Sequence, residues 1–256
     1  MNDQINNFLR KIDAYDYLKI FKDKHFINPI EKECKRKRLE FYSSFISSGN
    51  LCFDIGASYG NRSEVFLELG AEVVALEPQP KTANYLKRKF KNTIILEKKA
   101  AGSQIGKKIM SISPNSALSS LSEEWINIVK YKRFRDIKWN KKIEIDVITM
   151  DELIRLYGKP DYCKIDVEGY ELDVLHGLTQ PVKLLSFEFT IPEFVDKAIE
   201  CINYLDQLGE VRCNYSTGET MEFGIDKWIN SHEFIQKFIY LIAEGVIDGD
   251  VYIKFI

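Results

Sequence analysis

No CxxC pair occurs in this chain, and its five cysteines (Cys34, Cys52, Cys163, Cys201 and Cys213) cannot all pair with one another. That argues against a disulfide scaffold or a zinc site built on cysteine pairs. Cys52 and Cys163 fall inside apolar runs, where a small buried thiol packs well. No run reaches transmembrane length. The opening "MNDQINNFLRK" lacks the apolar core of a secretory leader. A reducing, cytoplasmic location is the expectation. A strong charge of one sign is missing too: 36 basic and 38 acidic side chains leave −2. No global field gathers nucleic acid or an anionic membrane, so neither is expected as a partner. Internal repeats and low-complexity linkers are absent as well.

Two phosphate-binding signatures are also missing. No "GKS" or "GKT" follows a glycine-rich turn, which excludes a P-loop. The dinucleotide fingerprint needs glycine at its first, third and sixth places. Counting from Gly56, those places hold Gly56, Ser58 and Asn61, so an NAD(P)-linked oxidoreductase loses ground.

What remains is an ordinary folding composition. Over 256 residues, 45% are hydrophobic and 29% charged, enough for one large domain with a modest extension. Residues 1–48 read as an amphipathic helical extension or cap, with Leu39, Tyr42 and Phe45 on one face and Phe41 beside them. From residue 49 strand-sized apolar runs alternate with helix-sized segments. "NLCFDIG", "EVVALEP", "TIILEKKA" (93–100), "KIEIDVIT", "DYCKIDVEG", "VKLLSFEFT", "EVRCNYS" and "DGDVYIKFI" read as strands. "NRSEVFLELG", "KTANYLKRKF", "EEWINIVKYKRF", "MDELIRLYG", "YELDVLHGL", a segment opening at Pro192, and "KWINSHEFIQKFIYLIAEG" read as helices. This alternation is the mark of βαβ units around a parallel sheet, here over 49–256. The stretch 102–122 reads as an extended excursion. Trp228, Phe234, Phe238 and Tyr240 recur near helical spacing and read as core. His176, beside Gly177, reads as a helix-end cap.

Three basic runs interrupt this pattern. "KECKRKR" and "KRKFK" read as solvated faces. "KYKRFRDIKWNKK" (130–142) carries Tyr131, Phe134 and Trp139 between its charges, which makes it the best candidate of the three for a surface that recognises an anion.

In an open parallel sheet, ligands bind at the carboxyl ends of the strands. Asp54, Gly56, Ala57, Ser58 and Gly60 end the first strand, and the two glycines leave room for a ligand against the backbone. Glu77 ends the second strand, 21 residues after Gly56. An acid there can accept both hydroxyls of a ribose. Glycine turn and acid together indicate an adenosine-bearing cofactor, and without the pyrophosphate glycines S-adenosylmethionine is the better candidate. In "KIDVEGYE", Lys164, Asp166, Glu168 and Glu171 crowd the end of another strand. Close carboxylates there need a cation, a sulfonium, an amine or hydroxyls. Glu171, and with less force Glu168, can be read as helix first-turn acids. Glu188, in "LLSFEF", is an acid in an apolar run and needs a partner or a function.

"FDIGASYGNRSEVFLELGAEVVALEPQP", "CKIDVEGYELDVLHGL" and "LLSFEF", with "SALSSL" and "VITMDELI" as further landmarks, resemble the FkbM-type S-adenosylmethionine-dependent methyltransferases over residues 50 to 190. The resemblance implies a class I, Rossmann-like three-layer α/β sandwich. Its sheet is seven-stranded and mostly parallel, in the order 3-2-1-4-5-7-6 with the seventh strand antiparallel. It makes Asp54, Gly56, Ala57 and Ser58 the loop along the methionine side of the cofactor, Glu77 the ribose acid, and Pro78 the residue that fixes the turn after it. Ala100 and Ala101 line the adenine pocket, and Asp166 sits near the transferred methyl group. It further implies methyl transfer to a hydroxyl of a sugar, glycan or polyketide-type small molecule. Asp166 is then the first choice for base or substrate orienter, Glu188 the second, and Lys164 the holder of a carboxylate's charge. Two acids on adjacent strand ends could also hold Mg²⁺.

The chain departs from the family in three places. Ser58 replaces a usual Asn, lysines precede Ala100 where a polar adenine contact is common, and Thr190 stands where Glu-x-His is usual. A non-catalytic nucleotide- or protein-binding module on the same fold stays open beside the enzyme. The segments 1–48, 103–142 and 216–245 are expected to shape the acceptor pocket.

Overall fold

The computed structural model describes residues 29–256; the part of the expected N-terminal extension before residue 29 lies outside them. Helix α1 (Pro29–Ser43) starts on a proline, whose fixed φ suits a first turn. It buries Arg38, Phe41 and Tyr42. Leu39 and Phe45 pack partly buried beside them, in the aromatic cluster that also holds Tyr162 and Tyr252.

Seven strands build the main sheet: β1 (Leu51–Ile55), β2 (Glu72–Leu76), β3 (Ile95–Glu97), β7 (Tyr162–Ile165), β8 (Leu184–Thr190), β9 (Val211–Thr217) and β10 (Asp248–Phe255). Across the sheet they run β3-β2-β1-β7-β8-β10-β9, which is 3-2-1-4-5-7-6 when the strands are counted as they enter it. The first five strands are parallel, and β10 is antiparallel to both of its neighbours. Helices α1, α2 (Asn61–Glu68) and α3 (Pro80–Phe90) cover one face. Helices α5 (Met150–Tyr157), α6 (Glu171–Leu175), α7 (Val195–Leu208) and α8 (Ser231–Ala243) cover the other. Burial on both faces explains why the strands read as apolar runs rather than alternating ones. Phe53, Ile55, Cys163 and Ile165 face the second layer, and Cys52 and Tyr162 the first.

A second sheet was not expected. β4 (Ala100–Ala101), β5 (Gly106–Ile112) and β6 (Lys141–Ile148) pair in the order β4-β6-β5, with β5 and β6 antiparallel. The strands as a whole are mixed rather than mostly parallel. The expected strand 93–100 is really two short ones, because the chain crosses at Lys98 and Lys99 from the large sheet to the small. β5 escaped notice because "GKKI" puts its charges and an exposed Ile109 on an edge strand.

Several helix starts carry side-chain caps. Ser122 caps α4 (Glu123–Lys132), Thr149 caps α5 and Asn230 caps α8, each accepting from a backbone N–H three residues on. The helix expected from Pro192 begins instead at Val195, after a turn where Arg133 Nη2 donates to Ile191 O and to Glu193. Phe234 and Phe238 are core as expected, but Tyr240 is 69% exposed. Among the described residues, no helix is long and apolar enough to cross a membrane.

Candidate active site

At the end of β1 the chain turns under a tight constraint. Gly56 has φ +84°, and a Cβ there would lie 1.9 Å from Asp166 O, so only glycine fits. The turn hangs on the next strand: the N–H groups of Gly56 and Ala57 both donate to Leu76 O, at 3.1 and 2.9 Å. Gly60 has φ +76° and packs so closely on Phe90 that a Cβ would come within 2.4 Å of the ring. It lets α2 start against α3 and lies outside the cleft wall described below.

Glu77 follows β2 and is 2% exposed. Its two oxygens accept from Ser58 N at 3.0 Å and Gln79 N at 2.8 Å. Burial pushes its pKa up to about 7, against the pull of those two N–H groups. The carboxylate thus locks the glycine turn to the end of β2 and keeps lone pairs for further donors.

Gln79 ties the excursion to this corner. Its Nε2 donates to Ser116 O at 2.9 Å, and its Oε1 accepts from Ser119 Oγ at 3.0 Å. The segment "SALSSL" is thereby folded over the strand ends, with Ser120 Oγ donating to Glu168 O at 2.6 Å. Between these parts lies a cleft of about 520 Å³. Of the expected cofactor residues, Gly56, Ser58, Glu77, Pro78, Ala100, Ala101 and Asp166 line it. Gln79, Met110, Ser116, Leu121 and Tyr170 also line it, and nothing local in the sequence singles these out. The cleft has an apolar end at Ala100, Ala101, Met110 and Leu121, and an acidic end at Asp166 and Glu168.

Besides Gly60, two expected residues lie elsewhere. Ala57 is buried in the aromatic cluster behind the turn. The Asp54 carboxylate is buried beneath the loop and accepts from Ser63 Oγ. Burial raises its pKa, while the Ser63 hydrogen bond and the Arg62 charge oppose that rise. Asp54 shapes the turn from below rather than walling the cleft.

The turn after β7 is held by Glu171, whose Oε1 accepts from the N–H groups of Val167 and Gly169, each at 3.2 Å. Burial pushes Glu171 up to about 7. This is a larger role than the helix first-turn acid read from sequence. Glu168 has φ +55°, a strained conformation for a non-glycine residue. Asp166, Glu168 and Glu188 each bring a carboxylate oxygen within 4.8 Å of the other two. Burial first, then the nearby Asp166 charge, drives Glu168 and Glu188 well above the usual carboxylate range. Oxygen ligands at this spacing are the kind a hard divalent cation takes.

Lys164 lies behind this group, 1% exposed. Its Nζ is 2.6 Å from Asp250 Oδ1 and 3.3 Å from Asp166 Oδ2. Burial alone would lower its pKa, but the Asp166 and Asp250 charges outweigh burial and hold it well above the ordinary lysine value. Sequence places Asp250 only in a closing strand, and nothing local in Asp248–Gly249–Asp250 singles it out as a partner for Lys164.

Glu188 and Thr190 line a second cleft of about 600 Å³, between the ends of α4, α6, β8 and α7. The basic run 130–142 is not the aromatic surface expected. Trp139 Nε1 donates to Leu118 O at 2.6 Å, and Phe134 and Trp139 pack on Trp125. Only Tyr131, 70% exposed, stands out from it. His176 packs edge-on against Tyr204 and lines neither cleft.

Comparison with known proteins bears on this geometry. A search of curated proteins finds no match. Solved structures similar to the chain include a precorrin-6y C5,15-methyltransferase from Geobacter metallireducens GS-15, at 13% identity and TM-score 0.40, covering 85% of this chain and 87% of that one. Another is a TehB-like SAM-dependent methyltransferase from Corynebacterium glutamicum, at 9% identity and TM-score 0.47, with full coverage of both chains. A third is a SAM-dependent O-methyltransferase from Thermotoga maritima, at 10% identity and TM-score 0.42, covering 93% and 71%. Likenesses this distant say nothing about an acceptor. The family model for the methyltransferase FkbM domain matches residues 54–216, a span that runs from the glycine turn through both clefts to β9. The chain belongs to the FkbM methyltransferase domain family, whose members transfer a methyl group from S-adenosylmethionine.

Proposed function

We propose that the chain is an O-methyltransferase that binds S-adenosylmethionine in the first cleft and methylates a hydroxyl of a sugar, glycan or polyketide-type small molecule. The observation that carries this is Glu77. It is a buried acid at a strand end, fixed by two backbone N–H groups, facing a cleft whose far end is apolar. Its remaining lone pairs suit the two hydroxyls of a ribose, which donate to the ionised carboxylate. Ala100 and Ala101 leave a flat apolar floor for an adenine ring, and the Gly56–Ser58 backbone leaves room for the amino acid end. Asp54 supports that backbone without touching the ligand.

When bound, the cofactor supplies an electrophilic methyl carbon on a sulfonium, and the hydroxyl oxygen that takes it leaves S-adenosylhomocysteine behind. The chain's task is alignment, water exclusion and custody of one proton. Asp166, with its side chain 38% exposed at the acidic end, is placed to accept the hydroxyl proton. Lys164 holds the Asp166 carboxylate in position. Glu188 is the second candidate, and with Asp166 and Glu168 it could hold Mg²⁺, which would acidify the hydroxyl. The unit that does this is proposed to be residues 49–256, with the N-terminal segment as its cap.

Calorimetric titration with S-adenosylhomocysteine and with NAD tests the cofactor, and methyl transfer from labelled cofactor into a glycan or polyketide pool tests the reaction. Uptake of NAD in place of the sulfonium product would overturn the assignment. Tight cofactor binding without transfer to any pool would favour a binding module.

A further inference from the structure

The second cleft lies on the far side of the carboxylate trio from the first. Asp166 and Glu168 line the first cleft, and Glu188 lines the second. Their oxygens lie within 4.8 Å of one another, so the two clefts meet at these three side chains. A group entering the second cleft reaches Glu188 and arrives beside Asp166, at the acidic end of the proposed cofactor cleft.

The walls of the second cleft differ in kind from those of the first. Trp125, Phe187, Phe189 and Phe194 back its walls, each packed into the core with at most an edge toward the cleft. Trp125 is set against Gly169, where a Cβ would come within 2.3 Å of the indole. The aromatic wall is thereby fixed to the same turn that carries Glu168. The charged groups are nearly all acceptors: Glu124, Glu171, Asp173 and Glu188, against the single cation Lys197. Glu171 is committed to the backbone of its own turn, and Lys197 leans on Glu200 outside the cleft at 3.5 Å. Burial and the nearby Asp166 charge hold Glu188 well above the usual carboxylate range, which leaves Glu124 and Asp173 as the acids that meet a ligand as acceptors. A ligand that satisfies them must bring donors, and a ligand anion would face the remaining carboxylates with little compensation. A compact ring with hydroxyls or an ammonium group at its rim, and no anionic group, answers both demands.

We propose that the second cleft is the acceptor site, and that it takes a neutral or amino-bearing sugar ring and excludes sugars that carry phosphate or carboxylate. This rests on the methyltransferase reading for the first cleft and names the acceptor chemistry that goes with it. It adds a specificity role for Trp125, Glu124 and Asp173, none of which the reaction itself requires.

The test uses the full chain saturated with S-adenosylhomocysteine, whose uptake is measured first and separately by calorimetry. With indole ¹⁵N labelling, the Trp125 signal is assigned by its loss in Trp125→Phe. It is then followed while methyl glucoside, glucosamine, glucose 6-phosphate and glucuronate are titrated at equal millimolar concentrations. Methyl glucoside and glucosamine are expected to shift the Trp125 signal, and the two anions to leave it in place. In Asp173→Lys the glucosamine affinity should fall about tenfold, because a like charge replaces an attractive one. Equal or tighter binding of the anionic sugars would overturn the proposal. So would a Trp125 signal that no probe moves in protein that takes up S-adenosylhomocysteine normally. Failure of that uptake, with sugar shifts intact, would instead sink the cofactor reading.

Discussion

Glu77 should make cofactor binding depend on pH. Burial raises its carboxyl from the ordinary 4.5 to about 7 in the folded chain. Between those values the folded state holds a proton that the unfolded state has released. Stability therefore falls as pH rises through that window, by about 3 kcal/mol over its full width. A ribose that donates two hydroxyls favours the ionised acid, so binding must expel the proton wherever the free protein still holds it. At about pH 6, uptake of S-adenosylhomocysteine should release close to one proton, and affinity should climb with pH and level off above about 7. Calorimetry in two buffers of different ionisation enthalpy reads the proton directly. Glu77→Gln should abolish the release and flatten the pH dependence of unfolding. Glu77→Ala removes two charge-assisted bonds, about 3 kcal/mol together, and should weaken binding more than about a hundredfold. Proton-free binding with an affinity constant from pH 5 to 8, together with an undiminished affinity in Glu77→Ala, would refute the assignment of Glu77 to the ribose.

Three further outcomes are expected. Gly56→Ala would force a Cβ to 1.9 Å from Asp166 O at φ +84°; urea unfolding should show a loss of at least about 3 kcal/mol. Lys164→Met strands the buried Asp250 carboxylate and should cost about 3–5 kcal/mol, while Lys164→Met with Asp250→Leu should recover most of that; equal midpoints for the single and double variants would mean that the pair carries no buried charge balance. Asp166→Asn should hold S-adenosylhomocysteine within about threefold of the parent while labelled-methyl transfer drops by about 10²–10⁴; unchanged turnover would remove Asp166 from the mechanism.

What the sequence makes legible here is what a short segment determines by itself. The Gly56 turn, Glu77 after β2 and Asp166 after β7 each announce themselves within about ten residues, because a strand end, a conformational need and a polar group coincide. The residues that complete the site are brought in by distant pairing. Gln79 meets Ser116 and Ser119 only when the excursion folds back. Lys164 meets Asp250 only because β10 inserts antiparallel between β8 and β9, setting Asp250 opposite Glu188. A one-residue change in that register would send Asp250 to the other face and leave Lys164 without its nearest partner. The aromatic spacing around Tyr131, Phe134 and Trp139 gave a false surface signal for a related reason. Periodicity shows that residues share a face, and only the packing of Trp125 shows that this face turns inward.

The same long-range pairing accounts for the division of labour between the two clefts. The first is built on the turns that end β1, β2 and β7, with the excursion closing over them, so its floor follows the fold. The second is built where α4, which follows the second sheet's edge strand, closes on the ends of β8 and α7. Its walls depend on one inserted segment that can vary without disturbing the parallel strands. If the second cleft takes the acceptor, acceptor choice is separated from cofactor binding; the trio of Asp166, Glu168 and Glu188 is the only carboxylate cluster of metal-binding spacing among the described residues. It stands where both clefts can reach it. A substitution in α4 should therefore change which sugar binds while leaving S-adenosylhomocysteine affinity intact, whereas Glu77→Gln should do the reverse.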